Sequence, residues 1–368
     1  MNHNEISLKK TPLFAEHEKL GAKMAGFAGW LMPIQYEGII QEHNHTRRAA
    51  SMFDICHMGE FILRGAQAAR DLDGLVTCRT DNMSAGACRY GFMLDDNGAF
   101  IDDLIVYKID DTEFMLVVNA ARIGDKASWI EKHVSDGTEF LDISGFTAKI
   151  DVQGPLSFDV LKEFVEDGLD KLKFYRFNKT RMCGSEVLIS RTGYTGELGC
   201  EIYVDTAEAS RIWAELLSDT RLQPAGLGCR DTLRLEMGYP LFGSDITCEQ
   251  TPADTGLMRY VHMDKEFTGK SALVKRNEVV PAGRLTGIKL DGRQSARHGC
   301  PVMSGEDEIG VVTSGSYSPS LGCAIALCCI RADVSASAVV NIKVGKRVLT
   351  GSVQDPPLYK EATGRKKI

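Results

Sequence analysis

Apolar residues recur along this chain with two different periods, and the period changes several times. Spacings of three and four predict amphipathic helices over residues 13–24, 37–50, 66–75, 122–134, 156–164, 206–217, 229–237 and 268–274, with Thr206 as an N-cap. Alternating stretches predict strands over 61–64, 90–94, 100–109, 114–119, 148–152, 186–191 and 201–204. Asp95-Asp96-Asn97-Gly98 predicts a hairpin turn, because Asn-Gly accepts positive φ. Gly and Pro punctuation from Gly26 to Tyr36 predicts an irregular, aromatic-rich connection. A meander followed by a helix, without a β-α-β-α alternation, predicts an α+β fold rather than a doubly wound sheet. Beyond a boundary near 279–283 the character changes. Short strand-like runs over 285–290, 308–313, 324–330, 339–344 and 348–353 predict a separate antiparallel β barrel or sandwich. The expected division is therefore 1–282 and 283–368.

The length of 368 residues agrees with more than one core. With 43% hydrophobic and 25% charged residues the chain reads as a globular protein. A net charge of −7, with one dense basic run at Arg365-Lys366-Lys367, lacks the electrostatic footprint of a nucleic-acid partner. No apolar run has membrane-spanning length, and Met1-Asn2-His3-Asn4-Glu5 lacks a signal pattern, so a cytoplasmic setting is expected. A mitochondrial matrix protein already processed would look the same. The eleven cysteines form no Cys-x-x-Cys pair and read as buried thiols rather than metal ligands or disulfides. His43 and His45, two apart on a helix, point to different sides. With Glu42, Arg47 and Arg48 they predict a solvated polar face and no metal site.

Three stretches carry candidate chemistry. Gly193-Tyr194-Thr195-Gly196-Glu197-Leu198-Gly199-Cys200-Glu201 places an aromatic residue and two carboxylates among three glycines. It is either an ordinary Gly-rich hairpin or a loop that admits a ligand to the main chain. Asp102 and Asp103 are neighbours on a strand and face opposite sides, so one carboxylate points inward and must be paired or have a task. The alternative is an acidic pair at a strand edge. Arg230 and Arg234 share a helix face, as a carboxylate clamp or as partners of Asp231 or Glu236 at the surface.

Taken together, ordered motifs across nearly the whole chain resemble the glycine cleavage T-protein family. They are Phe27-Ala28-Gly29-Trp30, Met32-Pro33, Phe53-Asp54 with His57-Met58-Gly59, Ile101 to Val106, and Val117 to Ala121. They continue through Val152-Gln153-Gly154-Pro155, Gly193 to Glu197, Gly226-Leu227-Gly228 with Arg230 to Glu236, and Thr313-Ser314-Gly315 with Ser318 to Gly322. The resemblance implies a three-lobed, cloverleaf-like arrangement, with two intertwined α+β lobes in 1–282, a folate channel, and a C-terminal barrel. It implies an aminomethyltransferase: a lipoyl arm on H-protein donates the aminomethyl group, and tetrahydrofolate accepts the carbon as 5,10-methylenetetrahydrofolate with release of ammonia. By position in these motifs, Asp103 matches the catalytic carboxylate and Glu201 the residue that binds the pterin edge. Arg230 matches a second ligand contact, and Tyr90, Asn119 and Tyr194 match channel-lining positions.

Departures from the pattern are Cys56 for Ser, Gly98-Ala99 for two glycines, Leu198, and Cys200 for Phe or Tyr. The segment from Pro356-Pro357-Leu358-Tyr359 onward does not align, so no tail residue is assigned to the site. Two alternatives share the fold: a tetrahydrofolate-dependent demethylase of a small methylated donor, and a non-enzymatic folate-binding iron–sulfur assembly factor. The latter type carries Lys-Gly-Cys-Tyr-x-Gly-Gln-Glu where this chain has Gly193 to Glu201.

Overall fold

The computed structural model of the chain describes residues 8–277 and 283–367. Residues 1–5 of the polar N-terminus and 279–282 of the expected boundary lie outside the described residues. Two sheets with helices on one face, a small three-stranded sheet and a closed barrel surround one cleft. The six-stranded sheet runs Phe177–Met182, Ser185–Ser190, Gly199–Asp205, Thr147–Gln153, Ala50–Asp54, Leu222–Pro224. Its helix-covered face packs Ile150, Val152, Ile202 and Trp213 into one core. The five-stranded sheet runs Ala87–Leu94, Phe100–Lys108, Glu113–Val118, Gly59–Arg64, Glu139–Asp142. Helices Ala68–Leu75 and Ile123–His133 cover one side of it through Leu72, Leu116 and Ile130. Tyr107, Met115, Val117, Leu188 and Tyr203 join the two sheets. The mixed architecture with its six-stranded antiparallel C-terminal barrel is the expected α+β arrangement.

The predicted helix over 13–24 is two elements. Helix Phe14–Lys19 ends before Gly21, whose φ is +68°, and Lys23–Phe27 is a strand. It pairs antiparallel with Trp30–Gln35, through a turn whose two central residues, Ala28 and Gly29, both have positive φ. The segment expected to be irregular is thus a hairpin, its periodicity hidden by a register shift between Lys23 and Met24. Ala50–Asp54 escaped notice for a different reason: all five residues are buried, so no alternation marks the strand. In the barrel, Asp307–Ser318 is longer than expected and Pro301–Ser304 is an additional strand. Helix Ala209–Leu216 follows Glu208, and no side chain caps it, Thr206 included.

The expectation of a solvated polar face on helix Ile39–Arg48 is overturned. Glu42, His43 and Thr46 are buried, because helix Leu227–Met237 packs across them. The hub of that packing is Glu236, whose carboxylate accepts Arg47 Nη2 at 2.7 Å, Ser318 Oγ at 2.5 Å and Ser320 Oγ at 2.9 Å. His43 Nε2 lies 3.3 Å from Glu236 Oε1, and the Glu236 carbonyl accepts the amides of Leu358 and Tyr359. One residue therefore joins the N-terminal helix, the barrel and the C-terminal tail. Burial alone would raise the Glu236 pKa; His43, Arg47 and Ser318 outweigh it and hold the carboxyl at about 2.

That depression fixes the sign of a pH effect. The stabilisation is present above the unfolded carboxylate value of about 4.3 and is lost as pH falls through the folded value. Glu236→Ala should cost about 3–5 kcal/mol at pH 7, because it breaks a buried charged network. Urea unfolding should show the gap between variant and wild type narrowing below pH 4; an unchanged midpoint at pH 7 would refute the role of Glu236 as a clasp.

Candidate functional site

The cleft has a volume of about 1480 Å³ and draws its walls from both large sheets, helix Leu227–Met237, the barrel and the tail. Asp103, Tyr90, Asn119, Tyr194, Glu201 and Arg230, the six residues expected at the site, all line it. They form two polar groups on two different sheets.

The first group rests on strand Phe100–Lys108. Alternation turns Asp102 fully inward and leaves Asp103 half-buried at the cleft wall. The inward carboxylate is paired: Lys126 Nζ lies 2.6 Å from Asp102 Oδ2, and the Asn119 amide N–H donates to that oxygen at 2.9 Å. Asn119 Nδ2 donates to Asp102 Oδ1 at 2.9 Å and to Asp103 Oδ1 at 2.8 Å, so one side chain fixes both acids. Tyr90 Oη donates to Asp103 Oδ2 at 2.9 Å. Burial pushes Asp102 up to about 7 against the pull of Lys126, with the Asp103 charge adding to the rise. Asp103 is raised too, by burial, while Tyr90 and Asn119 oppose the shift. The result is an oriented carboxylate able to face a cation or to hold a proton.

The second group rests on strand Gly199–Asp205. Glu201 stands opposite Asp151 on one neighbouring strand and Ser190 on the other. Thr192 Oγ1 donates to Glu201 Oε2 at 2.5 Å, and Lys149 Nζ lies 3.3 Å from Oε1. Burial by itself would raise Glu201, but Lys149, Thr192 and Arg230 prevail and keep it below the usual carboxylate range. Arg230 Nη1 donates to Asp151 Oδ2 at 2.5 Å, and its guanidinium lies 4.9 Å from the Tyr194 ring centroid. Burial pushes Asp151 up to about 6. Tyr194 is held by its own hydroxyl, which donates to the Pro240 carbonyl at 2.6 Å. Arg234, the other half of the expected clamp, also borders the cleft, but its guanidinium is engaged by protein partners. It is buried against Asp231 at 2.8 Å, Asp245 at 2.5 Å and Ser314 at 2.9 Å, where it ties the helix to the barrel.

The Gly-rich loop has a packing reason as well. A Cβ on Gly193 or Gly199 would come within 2.3–2.5 Å of the Gln153 side-chain amide, and one on Gly196 would meet Met237 Sδ at 2.4 Å. Glu197 supports the loop from behind, accepting Arg47 Nη1 at 2.7 Å and the Thr363 hydroxyl. Lys149 and Asp151 lie outside the motifs, and Gln153 stands in one without an assigned role. Their signal was present as polar residues at alternate positions in the strand 148–152 and just beyond, all on the face opposite the core residues Ile150 and Val152. The tail was also missed. Pro356, Tyr359, Gly364 and Arg365 line the cleft, and no periodicity could have placed them there.

Tyr90→Phe removes a hydrogen bond to the charged form of Asp103, worth about 1.5–3 kcal/mol. The Asp103 carboxyl should then titrate at least about one unit higher. Carbon-13 NMR of labelled aspartate reads this directly; an unmoved titration would show that the Tyr90 contact does not bear on the carboxylate.

Comparison with known proteins matches the GCVT N-terminal domain over residues 13–265 and the glycine cleavage T-protein C-terminal barrel domain over residues 284–360. The chain is 40% identical to an aminomethyltransferase of Thermotoga petrophila, over 97% of this chain and 100% of the relative. It is 43% identical to an aminomethyltransferase of Halothermothrix orenii, over 95% and 99% of the two chains. Its fold is similar to the crystal structure of the glycine cleavage system aminomethyltransferase T from Bartonella henselae, with TM-score 0.91, 33% identity, and coverage of 97% and 99%. On this evidence, the chain belongs to the glycine cleavage T-protein family.

Proposed function

We propose that this protein is an aminomethyltransferase of glycine cleavage, moving the aminomethyl carbon of a lipoylated H-protein to tetrahydrofolate. The observation that carries the reading is the pairing, within one cleft of a chain of this family, of an oriented aspartate and an ionised, buried glutamate. The cleft is large enough for a folate, and its chemistry fits one. Glu201 is an anionic acceptor for the ring N–H and amino group of a pterin, while Tyr194 and Tyr239 offer apolar faces beside it. Tetrahydrofolate serves as the acceptor substrate.

As ammonia departs, the carbon still bonded to the lipoyl sulfur develops cationic character. A folate nitrogen bonds to it, and breaking the carbon–sulfur bond releases the dihydrolipoyl thiol and leaves the carbon iminium-like on the folate. Asp103 faces the cleft in a fixed orientation, so it stabilises that charge without reorganising. With its pKa raised by burial, it also exchanges a proton with the folate amine or the leaving group more readily than an exposed aspartate would. Asn119 and Tyr90 hold the carboxylate in place, and Lys126 compensates the Asp102 charge behind it. Relatives named aminomethyltransferase, at about 40% identity over nearly the whole chain, support this donor over a small methylated compound or a non-enzymatic role. The relatives compared are bacterial, which supports a cytoplasmic setting over a mitochondrial one. Among the described residues no helix is long and apolar enough to cross a membrane.

Asp103→Asn should lower folate-dependent ammonia release from aminomethylated H-protein by about 10²–10⁴-fold, with tetrahydrofolate affinity within a few-fold of wild type. Full activity in that variant would remove Asp103 from the reaction. In equilibrium titration, Glu201→Gln should weaken tetrahydrofolate binding more than Glu197→Gln, since Glu197 is engaged with Arg47 and Thr363. Equal losses would reassign the pterin anchor.

A further inference from the structure

Lys149 is a buried ammonium at the wall of the cleft whose surroundings do not satisfy it. Its residue is 1% exposed, yet it lines the cleft beside Glu201. An ammonium carries three N–H donors. Its oxygen partner among the described residues is Glu201 Oε1, and the separation of 3.3 Å is long against the roughly 2.7–2.9 Å of a well-made charge-assisted bond. Its other neighbours are soft ones: the Met58 thioether sulfur at 3.6 Å and the Tyr203 ring, with the ammonium 5.2 Å from the ring centroid. Glu60 does not serve as its counter-ion by contact. Glu60 Oε1 has no hydrogen-bond partner, and burial pushes that carboxyl up to about 8. Compensation of Glu201 alone does not explain the arrangement either, since a lysine placed only for that task would close the gap to its carboxylate. A buried cation with donors left over is costly unless something else accepts them.

We propose that Lys149 is a ligand-contacting, specificity-determining residue that donates a hydrogen bond to the ring carbonyl of the bound heterocycle, next to the N–H that Glu201 accepts. This rests on the folate reading above and names the part of the ligand that is read. The pterin edge presents an amino group, a ring N–H and a carbonyl in a row: donor, donor, acceptor. Glu201 offers two acceptor oxygens to the first two, and Lys149, displaced 3.3 Å from Oε1, offers a donor to the third. Thr192 orients the far oxygen, Oε2, and leaves Oε1 for the N–H nearest the carbonyl. Asp151 and Arg230 complete a group of two basic and two acidic side chains, which leaves no net charge buried at that wall. A ligand with an amino group in place of the carbonyl also has a bare ring nitrogen in place of the N–H, so it would set donor against donor at Lys149 and lone pair against carboxylate at Glu201, and be rejected.

The test compares dissociation constants for tetrahydrofolate and its 4-amino-4-deoxy analogue in the full-length protein. Wild type should prefer the carbonyl ligand, and Lys149→Met should lower that preference by about tenfold or more, the worth of one hydrogen bond to a charged group. Lys149→Gln, which keeps an N–H donor, should recover part of the loss, and it carries the same comparison if the methionine variant does not fold. The decisive arm uses Glu201→Gln, where nothing at position 201 titrates. There Lys149→Met should still lower the preference; an effect that vanishes in this background, or an equal loss for both ligands, would show that Lys149 acts only by supporting Glu201. Failure of the wild type to bind either ligand would instead overturn the folate reading.

Discussion

A single buried carboxylate on helix Leu227–Met237 sets the arrangement on which the cleft depends. Glu236 gathers Arg47, His43, Ser318 and Ser320 around one pair of oxygens, and its carbonyl receives the tail. Two residues earlier, Arg234 grips Asp245 and Ser314 of the loop and the barrel. The opening residues of the same helix face the other way. Gly226 packs against the backbone of Ile34 so closely that a Cβ would lie 2.3 Å from its carbonyl, and Arg230 reaches into the cleft. Helix, hairpin and barrel are therefore not three bodies in loose contact. Polar groups that are costly to strand in the interior hold them in one register.

The same physics gives the two polar groups of the cleft opposite characters. Asp103 and Glu201 are both carboxylates removed from bulk water, and for each the largest influence is burial, which favours the neutral form. Around Asp103 the counterweights are neutral donors, Tyr90 and Asn119, with Lys126 engaged by Asp102, so burial wins and the pKa rises. Around Glu201 the counterweights include Lys149 and Arg230, so burial loses and the carboxylate stays ionised. A group suited to proton exchange and a group suited to constant recognition thus arise from one side-chain chemistry and different neighbours.

Much of this was legible in the chain. Of the two readings open for Asp102-Asp103, an inward carboxylate with a partner or an acidic pair at a strand edge, the fold has the first, with Lys126 as the partner of Asp102. The hairpin at Asn97-Gly98 follows from φ preferences, with Gly98 at +79°. Where expectation failed, the cause was a contact with no local trace. Helix Ile39–Arg48 has the polar composition of a surface helix, and nothing within it announces that Glu236 lies across it. Strand Ala50–Asp54 is covered on both faces and so loses its alternation. The tail has no rhythm of its own and is positioned by Glu236, Glu197 and Arg191.

The sequence by itself determined what local sterics and periodicity control: many of the strands and helices, the turns that need glycine, a C-terminal barrel, and the motifs that carry the family. Tertiary structure alone decided which polar residues share a cavity and what charge each one carries there. The Gly-rich loop shows the division. Its glycines and carboxylates are plain in the chain, but that Gly193 and Gly199 make room for Gln153 and that Glu201 lies between Lys149 and Asp151 depends on strands about fifty residues apart in sequence, and that Glu197 braces the tail depends on a contact across 166 residues. Burial and neighbouring charge set a carboxylate's behaviour, and both are properties of the assembled fold.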